Sequence, residues 1–178
     1  MKSAFSPTDV YADALPERLP SPPVNVVRLK GRLELIWWIA TGIVVLAVIL
    51  PILLQTHNYP FYFPNILFVV ISITFTRYTF FLRHTFLANM MWPKLLIIAA
   101  SGISVFILIL ALGDFTSFLD EKGLQVLVDH HPVQKQYRIM KYIQGEMTFF
   151  GVASVISAVV LPLRMLISVW RMYNRGTV

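Results

Sequence analysis

The stretch ISITFTRYTFFLRHTF, residues 71–86, places two arginines, Arg77 and Arg83, among strongly apolar residues. The stretch belongs to one of four long apolar runs, and such runs indicate helices that lie in a membrane. Both arginines fall toward the end of the apolar run. A long arginine side chain can extend its guanidinium to the lipid headgroups, so we predict that Arg77 snorkels and marks where the helix leaves the lipid.

The composition of the whole chain supports the same class. Of its 178 residues, 57% are hydrophobic and 13% are charged, and the mean hydropathy is +0.68. Soluble domains have roughly 45–50% apolar and about 25% charged residues. The sequence has no cysteine, which excludes a disulfide framework, a thiol redox centre and a cysteine-ligated metal. We therefore predict an integral membrane protein.

Four apolar segments are long enough to cross about 30 Å of hydrocarbon, which takes about 20 helical residues. They predict an all-α membrane protein, a bundle of four transmembrane helices with spans at 35–54, 61–82, 95–112 and 147–170. Residues 1–23 contain five prolines and are predicted to be a flexible tail. Residues 24–178 form the transmembrane domain, including a longer loop at 113–146.

The distribution of Lys and Arg predicts the orientation of the chain. Eleven of the 15 fall before the first span, at the end of the second span and in the connection after it, or at the end of the fourth span and in the tail after it. The other four fall in the 113–146 loop. Cytoplasmic segments collect positive charge, so both termini are predicted to be cytoplasmic and the loop extracytoplasmic. The tail PLRMLISVWRMYNRGTV, residues 162–178, resembles those of many small bacterial inner-membrane proteins, although no family motif accompanies it. We predict residence in the bacterial inner (plasma) membrane.

Two polar stripes suggest which helix faces are packed. At 100° per residue, one face of the second span carries Asn65, Ser72, Thr76, Thr79 and Arg83, and one face of the fourth carries Glu146, Ala153, Ser157, Arg164, Ser168 and Arg171. Such stripes favour contact with another helix. We predict that Arg164 or Arg83 points inward and pairs with Glu34, forming a binding site of these three residues. The alternative is that both arginines are independent topology anchors. Arg77 lies off the stripe and is predicted to face lipid or a partner protein.

Small residues give a second packing cue on the fourth span. Gly151, Ser154 and Ala158 recur at helical spacing, which permits close approach of a neighbouring helix.

The 113–146 loop is predicted to be partly helical. A helix over 132–144 would place Val133, Tyr137, Met140 and Ile143 on one side, and Gly145 would separate it from the fourth span or merely soften one long helix. Its apolar side would lie on the membrane or on another subunit. Asp129, His130 and His131 are interpreted as a solvated polar turn, because adjacent helical side chains diverge by 100° and rarely bind one metal ion together.

No catalytic motif or metal-ligand spacing is found in the sequence, so we predict no enzyme activity, no cofactor and no nucleic-acid partner. The leading hypothesis is a small multi-pass accessory, assembly or anchoring subunit, whose partners are the lipid bilayer and other membrane proteins or itself. The alternative is a homo-oligomeric transporter or channel, in which Arg164 and Arg171 would favour an anion. A third hypothesis, an enzyme acting on lipids, lacks a placed nucleophile, base or metal.

Overall fold

The computed structural model describes residues 24–82 and 91–174, and within these residues the chain is helical and contains no strand. The elements are α1 (Val24–Gln55), α2 (Tyr62–Phe81), α3 (Met91–Glu121), a 3₁₀ turn (Leu124–Leu127) and α4 (Val133–Asn174). All four α-helices are long and apolar enough to cross a membrane. The predicted all-α class with four candidate spans is therefore confirmed, and the helices indicate a membrane-embedded protein.

The last two helices are much longer than the spans that the sequence predicted. α3 has 31 residues rather than the predicted 18 of 95–112, and α4 has 42 residues and runs through Gly145 without a break. At 1.5 Å per residue they measure about 46 and about 63 Å, well beyond the ~30 Å hydrocarbon layer. Backbone hydrogen bonds extend both helices beyond their apolar residues. Gly145 does not interrupt α4, since one internal glycine costs only about 1 kcal/mol relative to alanine.

The helices lie side by side in the order α1, α2, α4, α3. α4 contacts both α2 and α3 extensively, whereas α1 contacts mainly α2, and α2 and α3 scarcely touch. Neighbours in the chain are therefore not always neighbours in space.

Side-chain contacts define two ends of the molecule. Glu34 of α1 meets Arg77 of α2, and Lys94 of α3 meets Ser168 of α4, at what we call the terminal end. At the opposite end, the hairpin end, Asn65 of α2 meets Glu146 of α4. The chain thus passes up and down four times.

The buried face of α4 is a narrow stripe with alternating steps of four and three residues. It includes the buried residues Met147, Gly151, Ser154, Ala158, Leu161 and Met165. A β-carbon at Gly151 would lie 2.8 Å from Leu112 Cδ1 and 3.6 Å from Phe68 Cε2. The packing role predicted for Gly151, Ser154 and Ala158 is confirmed, because α2 and α3 approach α4 along this stripe.

Residues 113–146 form a structure that we call the hairpin cap, made of the end of α3, the 3₁₀ turn and the start of α4. The cap packs on the α1–α2 turn of its own chain, where the Phe61 ring lies 5.4 Å from Phe115 and 5.1 Å from Phe118, centroid to centroid. The backbone N–H of His57 donates to the Leu127 carbonyl at 3.3 Å. Ile143 enters this core, whereas Val133 and Tyr137 stay exposed.

Several predictions fall on the connections. The tail at 1–23, residues 83–90 with Arg83, and residues 175–178 lie outside the described residues.

The sequence predicts Lys94 in the basic connection between the second and third spans, and that prediction is wrong, because Lys94 lies in the first turn of α3 and is buried. Its ammonium group donates to Ser168 Oγ at 3.1 Å. A charge near a helix end therefore does not mark the end of the helix.

Candidate functional site

An ion pair joins α1 and α2 near the terminal end. Arg77 Nη2 lies 2.7 Å from Glu34 Oε2, and the two side chains are only 8% and 16% exposed. The guanidinium carbon also lies 5.2 Å from the centre of the Trp37 ring and 5.3 Å from that of Tyr78. Aromatic faces attract a cation, so the arginine is held by one carboxylate and two rings.

This pair corrects the prediction for Arg77 and gives Glu34 a partner that the sequence did not predict. Arg77 faces neither lipid nor a partner protein, because Glu34 of the same chain binds it. Glu34 pairs with neither predicted arginine within the described residues, since Arg164 is not its partner and Arg83 lies outside them. The physical reason is that α2 has two neighbours. Its polar stripe faces α4, and a residue off that stripe faces α1.

Arg164 has a different environment. It lies half-buried on α4, and within residues 24–82 and 91–174 no acidic side chain forms an ion pair with it. The three-residue site of Glu34, Arg83 and Arg164 therefore stays a prediction.

The polar stripe on α2 is packed at one end only. Asn65 and Ser72 are buried as predicted, whereas Thr76 is exposed and Thr79 is half-buried. These two threonines line a groove of about 320 Å³ between α2 and α4, together with Phe80, Ala153, Ile156, Ser157 and Val160. α2 and α4 separate at this groove. The hydroxyl groups of Thr76 and Thr79 therefore line a surface groove, not the helix contact that the sequence predicted.

A second buried polar site lies at the hairpin end. Asn65 Nδ2 donates to Glu146 Oε1, and both side chains are buried. Tyr59, from the α1–α2 turn, lies beside them and is also buried. Within the described residues, three oxygens here have no hydrogen-bond partner, namely Tyr59 Oη, Asn65 Oδ1 and Glu146 Oε2. The sequence placed Asn65 and Glu146 on packed faces of different helices, but no sequence signal linked them.

Three histidines meet where the hairpin cap covers the α1–α2 turn. The His130 ring centroid lies 4.4 Å from that of His57 and 4.0 Å from that of His131. His131 Nε2 donates to the Gln55 carbonyl oxygen at 3.1 Å. Within the part of the chain that the structure describes, no three histidine or acidic side chains are arranged to hold a metal ion. The cluster instead joins the cap to the turn.

The environment of His131 disfavours its charged form. Desolvation lowers the pKa of His131 below its usual value of 6.5, and the neighbouring His130, Lys135 and His57 act in the same direction. The hydrogen bond to Gln55 opposes them without reversing the shift. Neutral His131 therefore suits the contact between the hairpin cap and the α1–α2 turn better than charged His131 does.

Comparisons with known proteins add no relative. A scan against protein-family models found no match, and neither did searches of curated proteins and of solved structures. The functional argument therefore depends on the geometry of the chain itself.

Proposed function

We propose that this chain is a non-catalytic, four-span accessory or anchoring subunit that assembles with other membrane proteins. The observation that carries the proposal is that three contacts between helices each join a charged side chain to a polar or charged partner in the same chain. Arg77 binds Glu34, Lys94 binds Ser168, and Glu146 binds Asn65. A conduit or an enzyme would present such groups to a water-filled cavity, whereas a subunit that fixes helix positions uses them as internal contacts.

The exposed surface supports assembly with partners. Along α1 and α3 few side chains are buried, and large apolar residues cover most of both helices. On the hairpin cap, Val126, Val133 and Tyr137 are exposed at the far end of helices that outreach the lipid layer. We place both termini in the cytoplasm of a bacterium and the cap outside its inner membrane, following the distribution of Lys and Arg.

The test is to purify the protein from native membranes with a mild detergent, at its native expression level, and to weigh the assembly by native mass spectrometry. Stable foreign subunits are expected. A double variant, Val133→Ser with Tyr137→Ser, should release those that dock on the cap. Gln134→Ser, a change at an exposed polar position of the same helix turn, is the matched control. A pure monomer or homo-oligomer would overturn the proposal.

One observation favours the second candidate, a homo-oligomeric conduit for an anion. Arg164 lies half-buried on α4 and has no ion-pair partner among the described residues. Four spans make a thin bundle, so a path for an anion would need several copies to surround it. If the native assembly is a homo-oligomer, Arg164→Gln should abolish anion flux into liposomes, whereas Arg171→Gln on the exposed end of α4 should reduce it less.

A further inference from the structure

The two glutamates at the helix contacts have opposite environments. Glu34 lies against the guanidinium of Arg77, which balances the charge of its carboxylate. Glu146 lies against the neutral amide of Asn65, and no cationic side chain among the described residues forms an ion pair with it. An ionised carboxylate buried without a cation is strongly disfavoured, so such a group binds a proton instead.

The surroundings of Glu146 contain no compensating charge from any neighbouring element that the structure describes. α2 contributes Asn65, the α1–α2 turn contributes Tyr59, and the preceding turn of α4 contributes Tyr142. α1 and α3 meet the same core through Ile52 and Phe115. All of these groups are neutral, so a proton on the carboxyl group is the simplest way to balance its charge.

A proton on Glu146 also gives hydrogen-bond partners to two of the three orphaned oxygens of the site. Asn65 Nδ2 already donates to Glu146 Oε1, which leaves Asn65 Oδ1 and Glu146 Oε2 without partners among the described residues. A hydroxyl at Oε2 can donate to Oδ1, and the acid and the amide then form a closed pair with two hydrogen bonds. One proton accounts for two orphaned oxygens, each in a side chain more than nine-tenths buried.

We propose that Glu146 and Asn65 form a reversible proton-binding site between α2 and α4 at the hairpin end. The proton is bound by the carboxylate and lost to the adjacent aqueous face when the site opens. The site holds a single proton and involves no other chemical change. It goes beyond the accessory role proposed above and holds for a conduit as well, because it depends only on contacts within one chain.

A membrane-permeant carbodiimide tests the protonation state directly. The O–H of a carboxylic acid adds across a C=N bond of the reagent, and an ionised carboxylate does not react in this way. Purified full-length protein in liposomes is treated with dicyclohexylcarbodiimide and mapped by peptide mass spectrometry. We expect Glu146 to be modified at least about tenfold more than Glu34, with modification declining as the pH rises from about 6 to about 9. Equal modification of the two would overturn the proposal.

Sodium distinguishes a proton site from a cation site. The same oxygens would suit a monovalent metal ion, which would compete with the reagent at constant pH. We expect modification of Glu146 to be the same in sodium chloride and in choline chloride. Protection by sodium alone would overturn the proposal in favour of a sodium site.

Substitutions provide a readout that does not depend on reagent access. Glutamine can replace a protonated glutamate, because its amide donates to Asn65 Oδ1 and its carbonyl accepts from Asn65 Nδ2. Glu146→Gln should therefore melt near the wild-type temperature and lose the decline in stability that the wild type shows as the pH rises, since ionisation disfavours the folded site. Glu146→Ala should melt lower. Glu34→Gln is the matched control and should be destabilised, because it leaves Arg77 without its carboxylate. A Glu146→Gln protein as unstable as Glu146→Ala would overturn the proposal.

Discussion

Arg77 shows what a helical wheel does and does not reveal at the scale of one residue. The wheel correctly separated Arg77 from the face that carries Asn65 and Ser72. It did not reveal that a second helix covers the other face of α2, because periodicity reports that a face is polar without identifying its neighbour. The pairing of Glu34 with Arg77 depends on how α1 packs against α2, and no local pattern records that.

The Glu34–Arg77 pair should behave as a coupled unit. Arg77→Met leaves a buried carboxylate without its cation and should cost about 3–5 kcal/mol of unfolding free energy. Adding Glu34→Gln to Arg77→Met should recover part of that loss, so the double variant is more stable than the sum of the single effects predicts. Thermal unfolding in detergent of the wild type and the three variants measures the coupling. Strict additivity would contradict the pair.

Gly151 is predicted to be intolerant of larger side chains. A β-carbon there meets Leu112 Cδ1 at 2.8 Å, so Gly151→Val should cost about 1–3 kcal/mol through overpacking. A β-carbon added at Gly102 in α3 would meet no described atom within 4 Å, so Gly102→Ala should be neutral or stabilise by up to about 1 kcal/mol. Adding Leu112→Ala to Gly151→Val should restore stability if the contact is the cause. Denaturant titration in mixed micelles compares them.

At the scale of secondary structure, the helices continue where the lipid-crossing segments end. Hydropathy predicted the apolar centres of α3 and α4 well but placed their outer ends wrongly, because it measures suitability for lipid and not helix formation. Residues 113–121 and 133–146 are polar enough for water, yet they form helix and pack against each other and the α1–α2 turn. Lys94 is charged, so hydropathy places it outside the third span, although it lies in the first turn of α3.

The joint between the hairpin cap and the α1–α2 turn should weaken in acid. The folded pKa of His131 lies below the unfolded value of 6.5, so the unfolded form binds more protons and stability falls as the pH drops below about 6.5. Hydrogen exchange of residues 56–61 and 124–131, corrected for the intrinsic rate, should therefore accelerate between about pH 7 and about pH 5. His131→Gln keeps a donor for the Gln55 carbonyl and should remove this pH dependence. An unchanged dependence in that variant would assign it to another group.

At the scale of the whole molecule, the sequence established the class but not the order of the helices. Length and hydropathy suffice to count four spans, because crossing a bilayer imposes both. The placement of α4 between α2 and α3 follows from the fit of its narrow buried stripe to both neighbours, a property of side-chain shape that is not visible in hydropathy. The meeting of His57 with His130 and of Asn65 with Glu146 likewise arises only from the assembled fold.

The proposed orientation is open to a direct chemical test. Since the chain has no cysteine, a single introduced thiol can be labelled without background. Gln125→Cys, exposed on the hairpin cap, should react with a membrane-impermeant maleimide in intact cells. Arg171→Cys, exposed near the end of α4, should react only after the membrane is permeabilised. The reverse pattern would invert the proposed topology.

The position of α4 also has a consequence for biogenesis. A ribosome delivers α1, α2 and α3 first, yet α2 and α3 scarcely touch and each packs chiefly on a helix that has not been synthesised. The insertion machinery must therefore hold two spans with unfilled contact faces until α4 has been synthesised. A chain stopped before α4 would present those faces to quality-control proteases, so α4 decides whether a nascent chain survives.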